Sequence, residues 1–183
     1  VIFNPQGHAC VGAKFKTDEA FLPQYEPLQS IIRDDHNIKI LMLSRRNVLA
    51  QYVSHNIVAH QTGTHLVRGD SSLPAVNCID IDIDHCLDYA RDIVRRRLKA
   101  EAHYVNHPIL NIDYEDLVSN RGVTSSKILE FLQVSPHELA TDTKKILPPP
   151  SKMVTNFEAV RAALINEELV TAEDLREPEL DAG

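Results

Sequence analysis

Apolar positions change their spacing along this chain in a way that sorts it into strands and helices. Ile38-Lys-Ile-Leu-Met-Leu43 is almost continuously apolar, bounded by His36-Asn37 before it and Ser44-Arg45 after it. Such a run predicts a strand buried on both faces, as in a parallel sheet covered by helices. Asn47 follows as a helix N-cap, and Leu49, Val53 and Ile57 then recur every four residues, with Val48 and Tyr52 widening the stripe. The periodicity predicts a helix that ends near Gly63. A second helix is predicted over about 85–105, with Leu87, Ala90, Val94, Leu98 and Ala102 on one face and Pro108 closing it. Ile109 to Asp113 reads as another strand.

Weaker elements surround these. Val11-Gly-Ala-Lys-Phe15 reads as a short strand, and Leu28, Ile31 and Ile32 predict a helix over about 24–34. Residues 63–77 are loop-like. From Cys78 to Asp84, isoleucines alternate with aspartates, as either an edge strand or an extended lead into a helix. Thr124 to Leu132 predicts a short helix with Ile128, Phe131 and Leu132 inward. Pro148-Pro149-Pro150 is a stiff connector, and Asn156 is expected to cap a last helix carrying Phe157, Val160 and Leu164. Residues 171–183 read as a peripheral acidic tail. Strands alternating with helices predict one α/β domain over 1–183, with a mainly parallel sheet that looks incomplete.

Charge narrows the ligand classes. With 19 basic and 26 acidic residues the chain carries a formal charge of −7, so no global basic field draws it to nucleic acid. An anionic ligand must be held by a few local cations. Cys10, Cys78 and Cys86 form an odd set without Cys-x-x-Cys spacing, which argues against a disulfide framework and for a reducing, cytoplasmic setting. No apolar run reaches the roughly 18–20 residues of a membrane span. His103 and His107 have a zinc-compatible i,i+4 spacing, but Pro108 and the lack of a third ligand nearby point to no metal. The Arg95-Arg96-Arg97 run reads as a solvated helix face with partners such as Glu101.

One constellation points to chemistry. In Ser44-Arg-Arg-Asn-Val-Leu-Ala-Gln-Tyr-Val-Ser54, the arginines stand at the C-terminal end of the buried strand, where open α/β sheets bind ligands. The next helix directs its positive N-terminus to the same crevice. Ser54 lies about two turns along, roughly 10 Å, so the Arg46 guanidinium and the Ser54 hydroxyl can converge on one phosphate. The same residues also read as an ion-paired arginine and a helix filler. Tyr114, at the end of the second strand, offers an aromatic face for a base or an ordinary half-buried packing role.

The run Ile38–Ser54 resembles the PAPS-dependent sulfotransferases, in particular the bacterial carbohydrate branch related to nodulation sulfotransferases. Ile109-Leu-Asn-Ile-Asp-Tyr-Glu-Asp-Leu-Val118 is similar to that family's strand leading into Tyr-Glu-Asp-Leu. Ile128-Leu-Glu-Phe-Leu-Gln-Val134 is similar to its helix ending in Phe-Leu-Gly-Val, with Gln133 in place of Gly. The resemblance implies a three-layer, parallel-sheet fold of the P-loop NTPase-like kind. It implies PAPS (3′-phosphoadenosine 5′-phosphosulfate) as co-substrate, with Arg46 and Ser54 on its 3′-phosphate, Tyr114 beside its adenine and Arg45 as a second contact. A glycan or glycolipid hydroxyl would be the acceptor, and no metal is required. Lys14 resembles the family's catalytic lysine, with Lys16 as a rival, and Lys144, Lys145 and Lys152 are further candidates for the 3′-phosphate.

The family's loop similar to Pro-Arg/Lys-Ser-Gly-Thr-Thr has no counterpart in residues 1–183, and Gln6-Gly7-His8 is too poor in Gly and Ser to serve. Since the chain opens on Val1, that loop and the acceptor's His or Glu base are expected upstream. Two readings compete with the transferase: a P-loop nucleoside or nucleotide kinase, and a non-catalytic homologue that uses the fold to bind a partner. The acceptor and the oligomeric state are not legible in the sequence.

Overall fold

The computed structural model describes residues 7–17, 19–57, 60–61, 67–68, 76–141, 143–144 and 147–176. Contacts divide the chain into two compact units, each assembled from separated stretches: Val1–Ser44 with Arg95–Leu139, and Arg45–Val94 with Ala140–Gly183.

The first unit is built on two parallel strands, β1 (Ile40–Ser44) and β3 (Ile109–Asp113), paired in register from Ile40↔Ile109 to Ser44↔Asp113. Both strands lie where the apolar runs predict them. The Ser44 hydroxyl donates to Asp113 Oδ1 at 2.9 Å and ties their C-terminal ends together. Lys39 fastens the start of β1 by donating to the Phe131 carbonyl at 2.6 Å. Burial departs from the prediction for β1, because Leu41 is 40% and Leu43 57% exposed. A continuously apolar strand is covered on both faces only where a layer packs on each. Around β3, α4 (Tyr114–Ser119) and α5 (Arg121–Leu132) supply cover, and Ile112 is accordingly buried.

In α5 the buried positions are Thr124, Ser125 and Leu129, while Ile128, Phe131 and Leu132 are only half-buried. The helix closes on Gln133 in the left-handed region (φ 60°), with Gln133 N–H donating to the Glu130 carbonyl and Val134 N–H to that of Leu129. This is the position where glycine is usual.

In the same unit, α1 (Glu26–Asp34) follows a single 3₁₀ turn, Pro23–Tyr25. It buries Ile32 and Gln29 and leaves Ile31 48% exposed. The predicted strand at Val11–Phe15 is not formed. Its backbone is irregular, since none of the described strands pairs with it and Gly12 gives it little to pack.

The second unit holds the larger apolar core. Here α2 (Val48–Ile57) buries Val48, Leu49, Tyr52, Val53 and Ile57 against Cys86, Leu87 and Ala90 of α3 (Ile83–His103) and Val160 and Leu164 of α7 (Phe157–Asn166). Val160 and Leu164 have no exposed surface at all. The predicted end of α2 at Gly63 lies outside the described residues.

The alternating Ile/Asp segment is the extended lead into a helix. Ile79 makes a parallel bridge with Val154, and the Asn156 side chain clamps both Ile81 N–H (3.0 Å) and Ile81 carbonyl (2.8 Å). Asn156 therefore braces this segment and makes no side-chain capping bond to α7. Pro150 opens a short helix, α6 (Pro150–Met153). A small antiparallel pair joins β2 (Val67–Arg68) to β4 (Thr143–Lys144). Leu175, in the stretch expected to be peripheral, is 4% exposed and belongs to the core, because its side chain packs inward while Glu173 and Arg176 stay exposed. Residues 177–183 lie outside the described residues.

α3 contributes to both units. Its Leu87 and Ala90 are buried as the stripe predicts, but Leu98 is 55% exposed and Ala102 is exposed. In this half, which belongs to the first unit, the buried position is Ala100. No described helix is long and apolar enough to cross a membrane.

Candidate functional site

The segment Ser44–Ser54 folds as strand, turn and helix. Polar Ser44 ends β1, the chain turns through Arg45 and Arg46, and α2 begins at Val48. The turn is tight, with Val48 N–H donating to the Arg46 carbonyl at 2.9 Å. Asn47, only 5% exposed, is the cap that its position in the sequence suggests. Its Oδ1 accepts from Ala50 N–H at 2.7 Å, and its Nδ2 donates to the Leu175 carbonyl at 3.3 Å. One side chain thus fixes both the start of α2 and the segment around Leu175.

Arg46 is exposed immediately before the helix, and Ser54 is half-buried beside the buried pair Tyr52 and Val53. Ser54 therefore sits on the border of the packed face, about 9 Å along the axis from Val48. Val48 and Ala50 N–H groups are already engaged, so an anion at this helix end is served by the dipole and by side chains more than by those two amides.

The other sequence-predicted residues lie in the first unit. Tyr114 is the first residue of α4, directly after β3, and is half-buried; Lys14 is exposed on the irregular segment. The structure thus brings Arg46 and Ser54 onto one turn-and-helix element and describes Tyr114 and Lys14 separately from them. Lys152 is exposed at the end of α6, the side chain of Lys144 lies outside the described residues, and so does Lys145.

Sequence reasoning missed an aromatic and imidazole cluster between α2 and α3. Tyr52, 4% exposed, pairs through its hydroxyl with His85 Nδ1 at 2.7 Å and packs edge-on to Tyr89, with ring centroids 5.3 Å apart. His55 lies beside Tyr89 at 6.1 Å. Burial, with Cys86 adding to it, pushes the Tyr52 phenol above its usual range, so the hydroxyl stays protonated at neutral pH. The signal available in the sequence was Tyr52 at a core position of one helix and His85 in the first turn of the next, but nothing paired them. Burial also pushes the neighbouring Cys86 thiol up to about 11. Among the described residues no group of three or more His, Cys, Asp or Glu gathers to hold a metal ion.

Fold and site together define a mixed helix and strand protein with a two-stranded parallel sheet and an arginine-led helix after its first strand. No family model, no curated protein and no solved structure matches the chain.

Proposed function

We propose that this chain is the 3′-phosphate-gripping part of a PAPS-dependent sulfotransferase with a three-layer, P-loop NTPase-like sheet, acting on a glycan or glycolipid hydroxyl. The observation that carries the reading is the strand–turn–helix at Ile40–Ile57. Arg46 is exposed at the N-terminal end of α2, and Ser54 is half-buried further along the same helix. A guanidinium, a helix dipole and a hydroxyl on one element suit a dianionic phosphate. The parallel pairing of β1 with β3 supports it further, because a sheet of this kind is built from parallel strands. In this reading Arg46 and Ser54 bind the 3′-phosphate and Tyr114 lies along the adenine. Lys14 supplies positive charge toward the transferring group. PAPS, when bound, supplies the activated sulfuryl group.

Calorimetry with adenosine 3′,5′-bisphosphate tests this, with adenosine 5′-monophosphate as the control lacking the 3′-phosphate. Loss of a charge-assisted contact in Arg46→Ala should cost about 2–3 kcal/mol, roughly a 30- to 150-fold rise in Kd. Ser54→Ala should cost about 1 kcal/mol. Neither substitution should alter binding of the monophosphate. Equal affinity of the native protein for both nucleotides, or unchanged affinity in Arg46→Ala, would overturn the assignment.

A further inference from the structure

The first unit contains a group of rings that the proposed transfer reaction does not use. Phe21, on the arm preceding α1, stands edge-on to His103 with centroids 5.1 Å apart, and His103 stands edge-on to Tyr104 at 4.8 Å. The series continues from Tyr104 to His107 at 5.9 Å and from His107 to His36 at 5.5 Å. The arm is seated by more than the ring. Ala20 is 5% exposed and its carbonyl accepts from Gln29 Nε2, while Gln29 Oε1 accepts from the Tyr104 hydroxyl at 3.2 Å. Gln29, itself 3% exposed, is thus used at both ends to hold arm, α1 and the end of α3 together.

Within this seat, His103 Nε2 is buried and has no hydrogen-bond partner. A neutral imidazole avoids a buried unpaired N–H by leaving Nε2 bare and carrying its single proton on Nδ1. An imidazolium would present an N–H⁺ with no acceptor. The surrounding charge makes matters worse. From α3, Lys99 Nζ lies over the Phe21 ring at 4.4 Å, while Arg97 and Glu101 pair with each other at 3.6 Å. From α1 come Arg33 and Glu26, 3.8 Å apart, with Arg33 also 3.9 Å from Asp34. On the arm, Lys16 and Glu19 pair at 3.1 Å. His107, whose Nδ1 contacts the Ile38 carbonyl at 3.1 Å, and Tyr104, whose hydroxyl is bound to Gln29, are further titratable neighbours. These charges largely pair with one another and none of the carboxylates accepts from His103 Nε2, so a charge on this ring gains no ion-pair partner.

We propose that His103 is a proton-operated latch: as a neutral ring it holds Phe21 and the arm on the end of α3, and on protonation it releases them. Burial first, and then Arg33, hold its proton affinity below the ordinary imidazole range, with Glu26 opposing. The docked arm therefore has the lower pKa. Docking is complete above the released imidazole's value of about 6.5 and is lost as pH falls below it, tenfold for each unit that docking depresses the pKa.

The chain contains no tryptophan, so Phe21→Trp gives the full-length protein a single reporter at the latch. Its emission maximum should move to longer wavelength as pH falls from 7.5 to 5. In the same background His103→Phe should abolish the shift, and Arg33→Gln, which removes a competing cation without touching the reporter ring, should lower the pH at which it occurs. A flat emission maximum in the reporter protein, or a shift that persists in His103→Phe, would overturn the latch. Should His103→Phe fail to fold by circular dichroism, the imidazole resonance of His103 in the unsubstituted protein decides: a midpoint below the ordinary imidazole value of about 6.5 supports the latch, and one at or above it refutes it.

Discussion

Replacing Asn47 should reveal how the start of α2 is held. The side chain makes two separable bonds, accepting from Ala50 N–H at 2.7 Å and donating to the Leu175 carbonyl at 3.3 Å, at a position 5% exposed. Loss of an N-cap acceptor costs about 1 kcal/mol. Loss of the second bond, which leaves a carbonyl without that donor, costs about 1 kcal/mol more and somewhat above that where water cannot reach it. Asn47→Ala removes both and should destabilise the protein by about 2–3 kcal/mol. Asn47→Ser keeps a capping oxygen but cannot span to Leu175, and should cost about 1 kcal/mol. Asn47→Asp also keeps the cap, yet it sets a carboxylate against the Leu175 carbonyl in a buried site, so it should be worse than Asn47→Ser despite its shape. Urea unfolding followed by far-UV circular dichroism measures the series. The reasoning fails if Ala and Ser variants lose equal stability, because the cap then contributes nothing, or if Asp matches the native protein, because the Leu175 contact then contributes nothing.

Further predictions follow from the core and the helix ends. Leu164→Ala, at a position with no exposed surface, should cost about 2–5 kcal/mol in the same unfolding assay, against little change for Leu98→Ala at 55% exposure. A thiol reagent at pH 8 should modify the exposed Cys10 and Cys78 rapidly and reach Cys86 only on unfolding. Because the folded Cys86 pKa is raised, its contribution to stability is complete below about 9 and is lost as pH climbs toward about 11, which unfolding midpoints across alkaline pH will show. Gln133→Gly, at φ 60°, should stabilise α5 by about 1 kcal/mol, since glycine occupies the left-handed region without the side-chain clash; a destabilised variant would refute it.

Local pattern carried much of the fold. Ile109–Asp113 is a strand with the bounds its sequence suggested, β1 covers the apolar run from Ile40 and adds Ser44, and Asn47, Val160 and Leu164 occupy the roles their spacing implied. These features follow from residues that neighbour one another in the chain. Features that depend on a distant partner were not legible. Val11–Phe15 has the composition of a strand, yet a strand exists only by pairing, and the sequence cannot say that no pair comes. Leu98 fits the stripe of α3, but burial depends on what lies opposite, and Ala100 takes the buried position instead. Leu175 was hidden among acidic residues, and Asn156 braces Ile81 across 75 positions of sequence. At the candidate site, the Arg46-to-Ser54 spacing could be read directly, whereas the Tyr52–His85 pair, 33 positions apart, could not.

The alternation of the two units along the chain bears on how the protein is made. The Ser44–Asp113 tie spans 69 positions and the Asn47–Leu175 tie 128, a difference worth only about 0.5 kcal/mol in loop closure. Entropy therefore gives neither half precedence, and emergence from the ribosome decides. Strands β1 and β3 can meet once the nascent polypeptide has passed Asp113, whereas the greasy side of α2 waits for Val160 and Leu164. During that interval it is open to chaperones or to neighbouring unfinished copies, so slow synthesis between residues 113 and 160 should favour aggregation over assembly.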